Sequence, residues 1–538
     1  MIRRIVILFL VFAVISSAQK SSKKTVEPGN VEHITQEQLH DYLSFIASDE
    51  LEGRDTPSKG LNIAAKFLAT HLSRWGYTPA GDSGSYFQKI LLHKTRVVPE
   101  KSTVEFNGIT FVFGGDFIAR SVAGSFTAPM VFVKNGYIVK SKNINPYEGI
   151  DVKGKIIVIL DGYPKGVTRG DFGLKLGEDY DTPTNYAKTH DAAGIIVVPS
   201  AKGLSQWEKD KTSAVDKGDL SVPAFKTSDA KQPVPVVIAS LRMVDAIFSG
   251  EKTGVQTMSV RASADSAESF VLSAGKSVSV NIGVRIDTLY TQNVVAVLEG
   301  SDKKLKNEYV AFGAHYDHIG LRSEPLNGDS IYNGADDDGS GTVGLLAMAE
   351  TFASGPRPKR SLLFVWHAGE EKGLWGSKYF VQHPTVPISD IVTQLNIDMI
   401  GRSKPDTGEA AVNTDISGKD ELFSIGSKMM SSELGALNEQ NNASLYNMKL
   451  NYKFDDPTDP NRLFYRSDHY NYAKNGVPIV FYFDGIHEDY HRVSDEVEKI
   501  DFEKLTEVTR TIYSLGWKLA TIPKRPAIDK TFNAEDID

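Results

Sequence analysis

The 538-residue chain contains no cysteine, which excludes disulfides and lipid attachment at a cysteine. It also has no excess of positive charge: 60 lysines and arginines stand against 68 aspartates and glutamates, a formal charge of −8. That balance argues against a phosphate-backbone partner, and no nucleic acid is expected. Long hydrophobic runs are missing except for Ile5 to Ile15, preceded by Arg3 and Arg4 and followed by Ser16 and Ala18. The run is too short for a permanent membrane span, and its flanks read as a cleavable signal over residues 1–18 rather than a retained anchor. The expectation is an exported protein, periplasmic or secreted.

What is present is ordinary globular sequence, 41% apolar and 24% charged. Its length exceeds what one compact core holds and predicts at least two domains. Thr35 and Gln38 form a capping-box pattern ahead of a helix carrying Leu39, Leu43 and Ile46. A second helix carries Leu61, Ala65, Leu68, Leu72 and Trp75 and stops at Gly76. From about Gly124 to Asp265 the texture changes to short apolar strands, among them 155–160 and 194–198, with a helix-like segment over 185–193. The charged stretch Lys202 to Lys217 reads as a solvated loop.

From Val278 onward strands and helices alternate. Residues 293–298, 309–314, 362–366, 391–397 and 478–483 are mostly apolar runs rather than alternating ones, as strands buried on both faces require. Helices are predicted over 341–352 and from Asp501 past Leu519. This is an α/β layout with a mixed, mainly parallel central sheet flanked by helices. In such sheets the ligand crevice lies beyond the carboxyl ends of the strands.

Five residues of metal-binding type fall at or just past those ends: His315, Asp337, Glu371, Asp398 and His491. Each alone would pass as a cap or a surface group, but together on one edge they point to a metal centre. Two divalent ions roughly 3.5–4 Å apart need one bridging carboxylate and about two further ligands each. One aspartate can bridge while each ion takes a histidine and one more carboxylate. Such a mixed set suits zinc without excluding manganese or cobalt. A further carboxylate must take the proton of the attacking water. Glu370 and Glu371 can supply a base and a ligand, and spacing does not say which is which.

The segments HYDHIG, NGADDDGSGT, GEEKGLWGS, NIDMIGR, SDHYNYAKNGVPIVFYFDGIHEDYH and DEVEKID, in that order over residues 276–520, resemble the dizinc exopeptidases typified by secreted bacterial leucyl aminopeptidases. LEGRDTPSKGLNIAAKFLATHL, VKGKIIVILDG and AKTHDAAGIIVVPS further resemble members with a β-rich protease-associated insertion. The resemblance implies a peptidase domain split into residues 31–123 and 276–525, with the insertion over 124–265. It implies two Zn2+ per chain: Asp337 bridging, His315 and Asp398 on one ion, Glu371 and His491 on the other. It makes Glu370 the general base and Asp317 a carboxylate orienting the His315 ring. The activity implied is an aminopeptidase hydrolysing N-terminal residues from peptide substrates with a two-metal-activated water. Carboxypeptidase or glutaminyl cyclase-like activity on the same fold is the alternative. The segment His487 to His491 also matches H-E-x-x-H, a single-zinc protease signature when it lies on a helix, but its neighbours here are loop-like.

Overall fold

The computed structural model describes residues 31–173, 175–227, 231–251, 268–456 and 459–531; the signal segment lies outside them. The chain divides into two compact units, one of residues 1–88 and 293–538 and one of residues 89–292. Among the described residues no helix is long and apolar enough to cross a membrane.

The larger unit is built on a mixed sheet. Its strands are β1 (Val284–Leu298, from Asn293 onward), β2 (Tyr309–His315), β3 (Ser361–His367), β4 (Ile391–Ile397), β5 (Glu421–Ile425), β6 (Lys449–Asn451) and β7 (Ile479–Phe483). They lie in the order β1-β3-β2-β4-β7-β5-β6. The central four, β3, β2, β4 and β7, are mutually parallel. On either side of them, β1 runs antiparallel to β3 and β5 antiparallel to β7, while β6 runs parallel to β5. Both faces are apolar, as the unbroken runs predict. Val310, Phe312, Phe364, Trp366, Leu395 and Val480 face one core, with residues of helices α1 (Gln36–Ile46), α2 (Lys59–Arg74), α3 (Gly341–Ser354) and α7 (Phe502–Thr521). The alternate residues Ala311, Leu363, Val365, Ile479 and Phe481 face a second core with Phe380 of α4 (Trp375–Gln382) and Tyr472 of α6 (His469–Lys474). Helix α7 lies so close to β2 that a Cβ on Gly516 would fall 2.2 Å from the Phe312 ring.

Three expectations are corrected here. Thr35 does cap α1, accepting from the Gln38 amide at 3.1 Å. The Gln38 side chain, however, reaches Glu350 on α3 instead of closing the box, because a partner on a packed neighbour competes with the local backbone. The stretch 408–466, in which no strand or helix is predicted from the sequence, contributes β5, β6 and helix α5 (Ser432–Ser444) to the sheet and its cover. The boundaries shift as well. Residues 89–123 belong to the smaller unit because their strands Thr103–Phe106 and Phe117–Ala119 pair with Ser277–Ile282 and Val236–Ala239.

The smaller unit contains the 124–265 segment. Its sheet runs Ile109–Val112, Thr103–Phe106, Ser277–Ile282, Gly124–Phe132, Ile156–Leu160, Gly194–Val198, Val236–Ala239, Phe117–Ala119. The charged stretch after Gly194–Val198 is helical over Ala201–Ser205, Trp207–Thr212 and Ser213–Lys217. Its few apolar residues explain this: Ala214 is buried in the core and Trp207 packs against it while the lysines stay wet.

Candidate metal centre

Each parallel strand delivers one part of the site from its carboxyl end, at the edge where an α/β sheet opens its crevice. His315 is the last residue of β2. Glu370 and Glu371 follow β3, Asp398 follows β4, and His491 lies in the loop after β7. Asp337 stands in the 335–340 turn that leads into α3.

The side chains meet around Asp337. His315 Nε2 lies 3.3 Å from Asp337 Oδ1 and 3.5 Å from Asp398 Oδ1. His491 Nε2 lies 3.1 Å from Asp337 Oδ2 and 3.1 Å from Glu371 Oε2. A tetrahedral shell with bonds of about 2.0–2.1 Å separates neighbouring donors by about 3.3 Å, so both groupings have the spacing of donors around one cation. Asp337 Oδ2 and His491 Nε2, despite their closeness, have no hydrogen-bond partner among the described residues. Buried polar atoms left this way call for an explanation, and lone pairs facing a common ion supply one. The donor set therefore fits zinc.

The electrostatics agree with that reading. Burial alone would lower the His315 imidazole, yet the carboxylates of Asp398, Glu370 and Asp337 hold it well above its ordinary value. Burial is outweighed in the same way at His491, which Asp337 and Glu371 push up to about 10. Burial and Asp337 act to raise Glu371, but His318 and His491 bring it down to about 2. Glu370 differs. Burial, reinforced by Glu371 and Asp398 and opposed by His315, keeps its carboxyl well above the usual range.

A hydrogen-bonded frame holds these groups. Asp338 accepts from the His315 amide at 3.1 Å and from the Met399 and Gly341 amides at 3.0 Å each, tying the ends of β2 and β4 to the start of α3. Asp495 Oδ2 accepts from the Asp336 and Asp337 amides at 3.0 and 3.1 Å. Ser467 donates to Asp398 Oδ2 at 2.6 Å and accepts from Asn396 at 2.9 Å.

Asp317 is buried behind His315, but its main-chain carbonyl, 3.1 Å from Nδ1, is the hydrogen-bond acceptor for the ring. Its carboxylate stands 3.8 Å from that nitrogen. The carboxylate instead accepts from Thr56 Oγ1 and the Glu370 amide, and burial pushes it up to about 7. The H-E-x-x-H match separates in space. The segment lies outside any helix, His487 faces Asp336 at 3.2 Å rather than the His491 cluster, and Glu488 is 55% exposed. His469 is buried against Phe481, and burial pushes its imidazole down to about 3. Asp468 is buried 3.4 Å from His367.

Two residues were missed from the sequence. His318 is fully buried with Nδ1 2.7 Å from Glu371 Oε1; its signal was the second histidine of HYDHIG. Arg54, also fully buried, donates to the carbonyls of Tyr316, Asn333, Gly334 and Ile46. It thereby joins the loops bearing His315 and Asp337. Its signal was an arginine inside LEGRD.

A cleft opens on the site, lined by His315, Asp337, Glu370 and Asp398, by Arg466 and Ser467, and by Met399, Leu463, Phe481, Phe483, Ile486 and Tyr490, which form an apolar wall.

Parallel strands delivering histidines and carboxylates to one edge, beneath an apolar cleft, define the class as an α/β protein with a candidate metal centre at the carboxyl edge of its sheet. The solved structure of an aminopeptidase from Aneurinibacillus sp. strain AM-1 shares this fold, with a TM-score of 0.53 and 19% identity over 94% of this chain and 98% of that one. Residues 293–516 match Peptidase family M28. In sequence the chain is similar to a probable zinc metalloprotease of Pyrenophora teres f. teres, 25% identical over 52% of this chain and 59% of the relative. It is also similar to a probable leucine aminopeptidase of Trichophyton verrucosum, 27% identical over 42% of this chain and 57% of the relative. The chain thus spans less than two thirds of the length of these curated relatives.

Proposed function

We propose that this chain is a two-zinc exopeptidase, an aminopeptidase that removes N-terminal residues from peptides. The observation that carries the reading is Asp337, whose two oxygens face two separate donor groups, His315 with Asp398 and His491 with Glu371. These five residues would hold the ions. When bound, the ions polarise the scissile carbonyl and make water a stronger acid.

The chain's own groups supply the rest. Glu370 lies 3.9 Å from His315 Nε2, beside both donor groups, and its burial-raised carboxyl suits a proton carrier. It takes the proton of the attacking water and passes it to the leaving amine. Glu370, outside the five donors, can receive a cationic N-terminal amine, Arg466 lines the same cleft, and the apolar wall receives the first side chain. Ser467 keeps Asp398 from rotating. The signal-like pattern over Arg3–Ala18 supports export as the setting of this activity.

The test is a panel of amino-acid nitroanilides with free and blocked N-termini, run with chelator and after zinc restoration, beside zinc counts on the purified chain. Zinc-dependent release from free-amine substrates alone is expected. Release from blocked substrates, cyclisation of Gln-initiated peptides in its place, or activity that survives chelation would overturn the reading.

A further inference from the structure

We infer that His318 is the positioning residue of the second donor group: its Nδ1–H holds Glu371 Oε1 so that only Oε2 faces His491. The inference rests on Glu371 being a metal donor, as proposed above, and adds a residue outside the five ligands and the base.

Distance separates this role from ligation. The gap of 2.7 Å between His318 Nδ1 and Glu371 Oε1 is shorter than the donor spacing of about 3.3 Å in a tetrahedral zinc shell. It is the length of a charge-assisted N–H···O bond. The pairs assigned to metal donors lie at 3.1–3.5 Å. His318 Nδ1 is also 3.7 Å from Asp337 Oδ2, too far for it to hold both carboxylates. A carboxylate acceptor at Nδ1 fixes the proton there, and that proton occupies the lone pair a metal would need.

The ring is held on several sides, although its Nε2 is buried without a hydrogen-bond partner among the described residues and His318, Asp337 and Glu371 lie close enough to form a donor group themselves. The His318 main-chain amide donates to the Arg54 carbonyl at 3.2 Å. A Cβ on Gly334, in the loop before Asp337, would lie 2.6 Å from the ring. That loop must therefore be glycine at this point for the imidazole to fit. Its outer edge meets the His491 ring in a T-shaped contact at 5.7 Å. The imidazole is thus wedged between the loop that follows β2 and the loop that leads to α3. Glu371 enters from a third loop, so His318 sets the carboxylate's rotation relative to Asp337 and His491.

Outer partners that orient metal ligands typically contribute 10–100-fold in metal affinity, so the effect falls on the second ion and spares the first. The experiment compares the full-length wild-type chain with His318→Leu, His318→Ala and His318→Asn, whose amide can still donate to Oε1. Zinc per chain is counted after dialysis against graded chelator, the two steps are resolved by competition with a chromogenic chelator, and circular dichroism checks folding. The expected result is a wild-type chain that binds two zinc ions, Leu and Ala variants whose second ion binds 10–100-fold more weakly while the first is unchanged, and an Asn variant within a few-fold of wild type. If His318→Leu fails to fold, the contrast between Ala and Asn decides. Wild-type affinity for both ions in the Ala variant overturns the inference. So does equal loss in Ala and Asn, which would make His318 a ligand. A wild-type chain that binds one ion only would instead refute the two-zinc reading itself.

Discussion

Replacing Arg54 by methionine removes the only side chain among the described residues seen to hydrogen-bond to both the Tyr316 and the Asn333–Gly334 carbonyls. The guanidinium is fully buried and donates to four carbonyls, at 3.0 Å to Tyr316, 2.5 Å to Ile46, 2.7 Å to Asn333 and 3.0 Å to Gly334. Burial brings it down to about 10, with Asp317, Asp337, Asp338 and Asp495 acting to raise it, so it carries its charge at neutral pH. Two effects oppose each other in the variant. Each carbonyl left without a donor costs about 1–3 kcal/mol, whereas removing a buried cation recovers part of its desolvation penalty. Breaking comparable buried charged arrangements costs about 3–5 kcal/mol. At about 2 °C per kcal/mol for a large unit, the melting temperature should fall by roughly 6–10 °C. The four aspartates lose a neighbouring positive charge, which bound zinc partly supplies, so the loss should be larger in chelator than in zinc. Arg54→Lys keeps the charge but cannot reach all four carbonyls with one nitrogen, and it should fall between the two. Thermal unfolding of the three proteins with chelator and with zinc checks this. A methionine variant within 1 kcal/mol of wild type in both conditions would refute the reasoning.

Glu370→Gln should retain its zinc and lose turnover about 10²–10⁴-fold; nitroanilide release at wild-type rate would remove Glu370 from the chemistry. Glu488→Gln, at an exposed carboxylate 3.8 Å from Arg402, should keep activity within about twofold, and near-total loss with zinc retained would revive the single-zinc reading. Ser467→Ala frees Asp398 Oδ2 from its 2.6 Å donor and should weaken one zinc ion about tenfold or more in chelator competition. Gly516→Val drives a side chain into the Phe312 ring and should lower the urea midpoint by the equivalent of about 1–3 kcal/mol; an unchanged midpoint would mean that α7 shifts freely on β2.

The central strands were legible because they are buried on both faces. Residues 309–314 and 362–366 are apolar without alternation, and those strands are buried almost throughout. Histidines and carboxylates then stand out at the ends of such runs, which is why five candidate donors could be proposed from spacing and resemblance. The 408–466 segment was not legible, since β5 and β6 are short and α5 has a mixed face whose asparagines are buried only because Asn438, Asn441 and Asn442 find partners in the fold. Lys202 to Lys217 misled for the opposite reason: two apolar side chains sufficed to fasten a charged helical stretch.

By itself the sequence determined which residues of metal-binding type stand at the strand ends and that the sheet is buried on both sides, because composition and periodicity record burial directly. Only the tertiary structure decided what those residues face. His315 turns one ring nitrogen to Asp337 and the other to the Asp317 carbonyl rather than its carboxylate. His487 and His491, four residues apart, go to different aspartates. Arg54 and His318 orient loops that are 262 or more residues away for the former and 53 for the latter. The direction of a side chain and the identity of its partner depend on backbone torsions and on loops distant in sequence, and no local pattern encodes either.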